Sequence, residues 1–234
     1  MERFSRTRML VGGPGADALA RTSIIILGVG GVGSYTAEAL ARTGVGRLRL
    51  IDGDVVEVSN INRQLHALDS SLGKAKVQVL AQRFAEINPH IVVEPIKAYY
   101  SSDNAAELLQ GDFDWVVDAV DSVPAKLDII THCITEGRLA ISSMGAGNRL
   151  DATQLRIDDI SKTYNCRLAR VLRKKLGRQG IRKGIPVVWS PEQPNPMETE
   201  VEGQPSVPGS ISFVPATAGL LMASYIVNKI LQVK

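Results

Sequence analysis

Asn60, Arg63, Gln64 and Lys76 stand close together in this chain, and Asp121 follows at the end of the apolar run DWVVDAVD. Two cations, two amides and a carboxylate are side chains that handle phosphate. Charge builds on an α-phosphate and a departing pyrophosphate, and preorganised Arg and Lys with a carboxylate-held Mg²⁺ stabilise it. Hydride transfer has no use for that set, so the pattern points to phosphoryl or nucleotidyl transfer. Each residue alone has a plainer reading: Arg63 or Lys76 as a solvated charge, Asp121 as the cap of the helix that Pro124 opens. The chemistry is carried by their joint occurrence, in order, behind a glycine-rich turn.

That turn is Ile24 to Ser34, IIILGVGGVGS. Three β-branched residues read as a buried parallel strand, which runs into Gly28, Gly30, Gly31 and Gly33 and then into the helix formers of Ser34 to Arg42. Glycines in a strand-to-helix turn let the backbone approach a phosphate, and the helix N-terminus offers it unpaired N–H groups. Asp52, 24 residues after Gly28 at the end of RLRLID, is placed to accept hydrogen bonds from ribose hydroxyls. Downstream the pattern predicts a polar loop over Ser59 to His66, an amphipathic helix over Lys76 to Ile87, a third strand over Val92 to Ile96 and a short helix over Asn104 to Gln110. A fourth strand then carries Asp118 and Asp121 at its carboxyl end, a helix runs from Pro124 to about Gly137, and LAISS is a fifth strand. Strands alternating with helices predict an α/β fold, a Rossmann-like, doubly wound and mostly parallel sheet.

Beyond Gly147 the texture changes. A strand over Thr153 to Ile157, a helix with an apolar face of Leu168, Val171, Leu172 and Leu176, a strand over Ile185 to Ser190 and a closing apolar helix over Pro215 to Val227 are predicted. Pro191 to Pro208 is proline-rich and without period, and reads as a mobile loop near the site. The N-terminal stretch Arg3 to Leu10 reads as a charged arm laid on a surface.

The 234 residues are 44% apolar, enough for a core, and the two cysteines, Cys133 and Cys166, form neither a disulfide framework nor a CxxC metal site. Cys133 shares a helix face with Leu127, Ile130 and Ile134 and is expected in the core; Cys166 is expected to be structural or incidental. No signal peptide is evident and Ala216 to Val227 is too short to span a bilayer, so a cytoplasmic protein with no membrane partner is expected. The net charge of +3 is local: nine cations and no acid fall between Asp159 and Glu192, and without them the chain is acidic. An unbalanced patch of that breadth suits a phosphate-rich partner, RNA rather than a single nucleotide.

The series Arg6, GVGGVG, Asp52-Gly53-Asp54, Asn60-Ile61-Asn62-Arg63-Gln64, Lys76 and Asp118-Ala119-Val120-Asp121 resembles the ubiquitin-activating and ThiF/MoeB-type adenylating family over roughly the first 145 residues. The resemblance implies ATP as substrate, the glycines with Asp52, Asp54, Asn60 and Gln64 around the nucleotide, Asn60, Arg63 and Lys76 on its phosphates and Mg²⁺ on Asp121. It also implies a homodimer in which Arg6 reaches the neighbouring subunit's site. RFSRTRML, NINRQLHAL, DAVDSVPAK, SKTYNCRLARVLRKKL and SPEQP are similar to the family's tRNA threonylcarbamoyladenosine dehydratase branch over nearly the full length, except that Cys166-Arg167 stands where an Asp-Pro pair is expected. That branch implies ATP-dependent cyclisation of the threonylcarbamoyl group beside the anticodon; the basic helix, through Arg167, Arg170, Arg173, Lys174 and Lys175, is expected from its charge to hold the tRNA. The expected organisation is one adenylating domain: an arm over 1–22, an ATP-binding core over 23–147 and a substrate-binding extension over 148–234. The alternative is an adenylyltransferase acting on the C-terminal carboxylate of a sulfur-carrier protein, although the four-cysteine zinc site common there cannot be built from two cysteines. The residues leave open a monovalent cation and a docked sulfur-relay protein.

Overall fold

A computed structural model describes residues 3–195 and 208–232. One seven-stranded sheet organises the chain, with strand order β3-β2-β1-β4-β5-β7-β6. The strands are β1 Ser23–Leu27, β2 Arg47–Ile51, β3 Val92–Ile96, β4 Trp115–Asp118, β5 Leu139–Ser143, β6 Arg156–Asp159 and β7 Pro186–Trp189. All pair in parallel except β6, which lies antiparallel on β7 at the sheet's edge.

β1 is buried along its whole length, as an unbroken apolar run requires when helices cover both faces. Ile24 and Ile26 point into the core shared with α2 (Gly33–Thr43), α3 (Lys76–Ile87) and α7 (Phe213–Gln232). Ile25 and Leu27 point the other way, toward α4 (Ala105–Leu108) and α5 (Val123–Thr135). A third cluster joins α5 and β7 to α6 (Arg167–Arg178) through Ile130, Leu172, Leu176 and Trp189. Because Leu27 is in register with both Ile51 and Asp118, and Asp118 with Ser142, the carboxyl ends of β1, β2, β4 and β5 lie side by side. The chain winds one way from β1 to β2 and the other way to β4, which opens a crevice at that edge.

Four sequence expectations change. The N-terminal segment is no charged arm but a helix, α1 Ser5–Arg21, kinked at Gly12 (φ 75°) with Leu19 buried, and it packs against α7. The strand expected over Thr153 to Ile157 begins later, because Asp151 accepts a hydrogen bond from the Thr153 N–H (2.9 Å) and turns 152–154 into a 3₁₀ segment. The closing apolar helix has 20 residues and is long and apolar enough to cross a membrane, so the length argument fails. Its Ala218, Gly219, Met222, Ala223 and Ile226 are instead sunk in the core, and a Cβ on Gly219 would collide with the carbonyl of Val32, the residue that caps α2. Asp121 does not cap α5: the Ser122 side chain does, accepting from the Ala125 N–H. The loop expected over Pro191 to Pro208 falls largely outside the described residues.

Candidate active site

At the crevice lies a cleft of about 600 Å³. Its floor is the turn after β1. Gly28 has φ 80°, and a Cβ there would sit 2.8 Å from the Ala119 carbonyl oxygen, so only glycine lets β1 and β4 approach. A Cβ on Gly33 would overlap the Gly28 carbonyl, so that glycine serves packing and stays outside the cleft wall. Gly30 differs: a Cβ there would meet nothing nearer than the Gln64 amide nitrogen at 3.8 Å. Its bareness has no cause in the protein's own packing and leaves room for a ligand.

Asp52 ties this turn to the second strand. One carboxylate oxygen accepts from the Val29 N–H (2.8 Å) and the other from the Asp54 N–H (2.9 Å). Asp54 accepts from the Lys76 ammonium and from the Tyr99 hydroxyl, each at 2.6 Å. Partial burial pushes the Asp54 carboxyl up, but those two hydrogen bonds and the Lys76 charge outweigh it and hold it below its ordinary value. Lys76, only 3% exposed at the start of α3, is thereby held in place and lines the cleft. Asn60 fixes the next loop by accepting from the Glu57 N–H (3.1 Å), and Arg63 donates to the Ser59 carbonyl and the Asn62 side chain, both at 2.8 Å. Gln64 is buried with its carbonyl oxygen unpartnered among the described residues, beside Gly30.

Behind the far wall, Asp118 and Lys126 form an ion pair at 2.9 Å with each side chain 1% exposed. The Ser142 hydroxyl donates to Asp118 (2.6 Å), and Lys126 also donates to Ser142 and to the Asp118 carbonyl. This buried set clamps the ends of β4 and β5 to α5. Asp121, three residues past Asp118, is exposed in the cleft wall and makes no hydrogen bond or ion pair among the described residues. No closed cage of three or more His, Cys, Asp or Glu occurs among the described residues. One open carboxylate beside a glycine-rich turn fits Mg²⁺, a cation that keeps waters and is held jointly by a carboxylate and substrate phosphates.

The remaining wall comes from Ser143 to Gly147 after β5, from Pro208 and Ser210, and from Leu168 in the first turn of α6. Arg149, 4% exposed and without a carboxylate partner among the described residues, donates to the carbonyls of Gly145, Asn165 and Ser190. It thereby pins the Gly145 loop to the turn that starts α6. Cys166 is the N-cap of that helix, its thiol accepting weakly from the Ala169 N–H at 3.5 Å. Cys133 is core, as expected, with burial, then the Asp118 charge, pushing its thiol up to about 12.

A model of the ThiF family matches residues 4–234. The chain belongs to the ThiF family. It is 39% identical to the tRNA threonylcarbamoyladenosine dehydratase of Bacillus subtilis over 99% of this chain and 96% of that protein. The Escherichia coli tRNA N6-threonylcarbamoyladenosine dehydratase, solved in complex with AMP, superposes with a TM-score of 0.91 at 36% identity, covering 98% of this chain and 94% of that one. Its complex with ATP gives 0.89 at 35% identity, over 98% and 93%. The adenylyltransferase and sulfurtransferase MOCS3 of Danio rerio is a more distant relative, 33% identical over 70% of this chain but 34% of its own length.

In this ThiF-family chain the fold gathers Gly28, Gly30, Gly31, Asp52, Asp54, Asn60, Arg63, Gln64, Lys76 and Asp121 around one cleft. Gly33 backs it. Arg6 is not brought there by its own chain and is exposed on α1. Arg167, Arg170, Arg173, Lys174 and Lys175 lie along α6, which begins at the cleft and leads away from it. Sequence reasoning missed Lys126, Arg149 and Tyr99. The first had a signal, a lysine on the inward face of a helix four residues after its cap; the other two had none.

Proposed function

We propose that this chain is an ATP-dependent tRNA threonylcarbamoyladenosine dehydratase that activates the threonine carboxylate as an acyl-adenylate and closes a ring within the same side chain. The observation that carries this reading is that the first turn of α6, through Leu168, walls the cleft that holds Arg63, Lys76 and Asp121. A nucleoside in an RNA lying on α6 enters the cleft with its own phosphates outside. The likeness to the Bacillus subtilis dehydratase over nearly both full lengths supports the same substrate.

In this mechanism a carboxylate oxygen attacks the α-phosphorus of ATP and pyrophosphate leaves. Arg63 and Lys76 stabilise the charge that builds on the phosphates, and Asp54 holds the Lys76 side chain in position. Mg²⁺ held by Asp121 supplies charge neutralisation when bound. A ureido atom of the same side chain then attacks the acyl carbon, loses its proton and expels AMP, which keeps the carboxylate oxygen. The nucleoside is left one water lighter. Both reacting groups belong to one residue, so effective molarity replaces an enzyme thiol. This accords with Cys133 and Cys166 being buried packing and capping residues.

The reading includes one adenylating domain, acting on tRNA in the cytoplasm, and a homodimer in which Arg6 serves the partner's site. Support for the dimer is the exposure of Met9 and Leu10 next to Arg6, with Leu10 86% exposed. The test is mass spectrometry of nucleosides from threonylcarbamoylated tRNA incubated with the protein, ATP and Mg²⁺ and digested mildly. An ATP-dependent product lighter by one water is expected; an unchanged peak beside an active control refutes the reading. Stable binding of a Gly-Gly-ending carrier would then favour the sulfur-carrier adenylyltransferase.

A further inference from the structure

A second cavity, of about 440 Å³, opens between the last turns of α6 and the segment that follows it. Arg173, Lys174, Arg178 and Arg182 line it over an apolar floor that includes Ile160 and Ile181, and no carboxylate lines it. Among the described residues none of these four makes an ion pair; the nearest pair in this segment is Lys162 with Asp158 at 3.7 Å. Arg173 alone has a side-chain hydrogen bond, to Thr163.

The ordinary explanation for cations at a helix C-terminus is that they satisfy its last carbonyls and oppose its dipole. Here two of those carbonyls are taken by the backbone that follows, and none is bonded by these four side chains among the described residues. The Leu176 oxygen accepts from the N–H groups of Gln179 (2.9 Å) and Ile181 (3.0 Å), and the Gly177 oxygen from Gly180 (3.2 Å). Four cations gathered around a hollow, with no anion beside them and no side-chain bond to a helix carbonyl among the described residues, therefore repel one another, and that cost is relieved by a ligand carrying negative charge. Helical spacing gives the direction. Arg167, Arg170, Lys174 and Arg178 recur every three or four residues on the solvent side, a ridge that runs from the cleft at Leu168 to this hollow. Ten residues of helix separate Leu168 from Arg178, roughly 15 Å.

We propose that this hollow is a phosphate seat for the backbone of the tRNA substrate, holding a phosphodiester some 15 Å along α6 from the cleft wall at Leu168. It rests on the reading of RNA as the substrate. The seat gives affinity and register, not chemistry: Arg and backbone phosphate form charge-assisted bonds that carry no sequence information.

The test compares the full chain with R178E/R182E and the milder R178Q/R182Q, measuring tRNA affinity from low to moderate salt, with ATP affinity as the control that the core has folded. Expected are a tRNA dissociation constant raised at least tenfold at low salt in R178E/R182E, a smaller rise in R178Q/R182Q, and a logarithmic salt slope shallower by about 1 to 2. ATP affinity stays within twofold. An unchanged affinity and slope overturns the seat. So does unchanged tRNA binding together with a variant-sensitive affinity for inorganic pyrophosphate, which would make it a site for a free anion. These measurements need no turnover, so absence of dehydration by a chain that binds tRNA in this way sinks the functional reading and leaves the seat standing.

Discussion

His66 offers a sharp test of how the cleft's charge is arranged. Its ring lies in the loop behind Arg63 and Gln64, is 2% exposed, and neither nitrogen has a hydrogen-bond partner among the described residues. Burial, reinforced by the charge of Lys76, pushes its pKa down to about 4. In the unfolded chain it titrates near 6.5. The folded state therefore binds fewer protons than the unfolded one between those values, and stability falls as pH drops through 6.5 and stops falling below about 4. The full linkage is about 3 kcal/mol, and about 2.5 kcal/mol is already lost at pH 4.5. His66→Leu forfeits no hydrogen bond and removes the titration. Urea unfolding at pH 7.5 and 4.5 should show the parent chain losing about 2.5 kcal/mol more than the variant, a difference of about 5–10 °C in melting temperature. Carboxylates held low, such as Asp54, contribute above the ordinary carboxylate pKa and lose that contribution only as pH falls further, in both proteins alike. Equal losses in the two proteins, within about 0.5 kcal/mol, would mean that the ring accepts its proton without penalty and that burial beside Lys76 does not hold it neutral.

Three further outcomes follow from the same geometry. Lys126→Met leaves Asp118 buried without its cation and should cost about 3–5 kcal/mol, whereas D118N/K126M should recover a large part of it; additive losses in a double-mutant cycle by urea unfolding would deny the coupling. Lys76→Ala should cut pyrophosphate release at least about 100-fold while circular dichroism stays native, and retained release would remove Lys76 from the chemistry. Cys166→Asp gives α6 a stronger cap, and within 4 Å of the point a Cβ on Gly145 would occupy lie both the Cys166 sulfur and the Arg149 guanidinium. Stability should rise by about 1 kcal/mol; a lower melting temperature would show that the site rejects a carboxylate.

The first half of the molecule was legible where neighbours in the chain decide the structure. Lys76–Ile87 and Val92–Ile96 form over the residues their periodicity predicts, and the strand, glycine turn and helix around Gly28 to Gly33 stand as read. Side-chain period, turn glycines and helix formers act over a few residues, so the sequence carries them directly. It also determined which residue types were available for phosphate chemistry and where the positive charge is concentrated. It did not determine the partners. Asp54 holds Lys76 across 22 residues, Lys126 finds Asp118 and Ser142, and Arg149 joins Gly145, Asn165 and Ser190 because β4, β5 and β7 lie next to one another in register. The N-terminal segment and the last helix were misjudged for the same reason: Leu19 and Met222 become core only once α1 and α7 have met. Strand order is chosen by the burial of faces that belong to distant segments, and no local pattern encodes it. Only the tertiary structure could decide that the basic helix begins at the wall of the cleft that holds Lys76 and Asp121 and ends at a hollow lined by four cations.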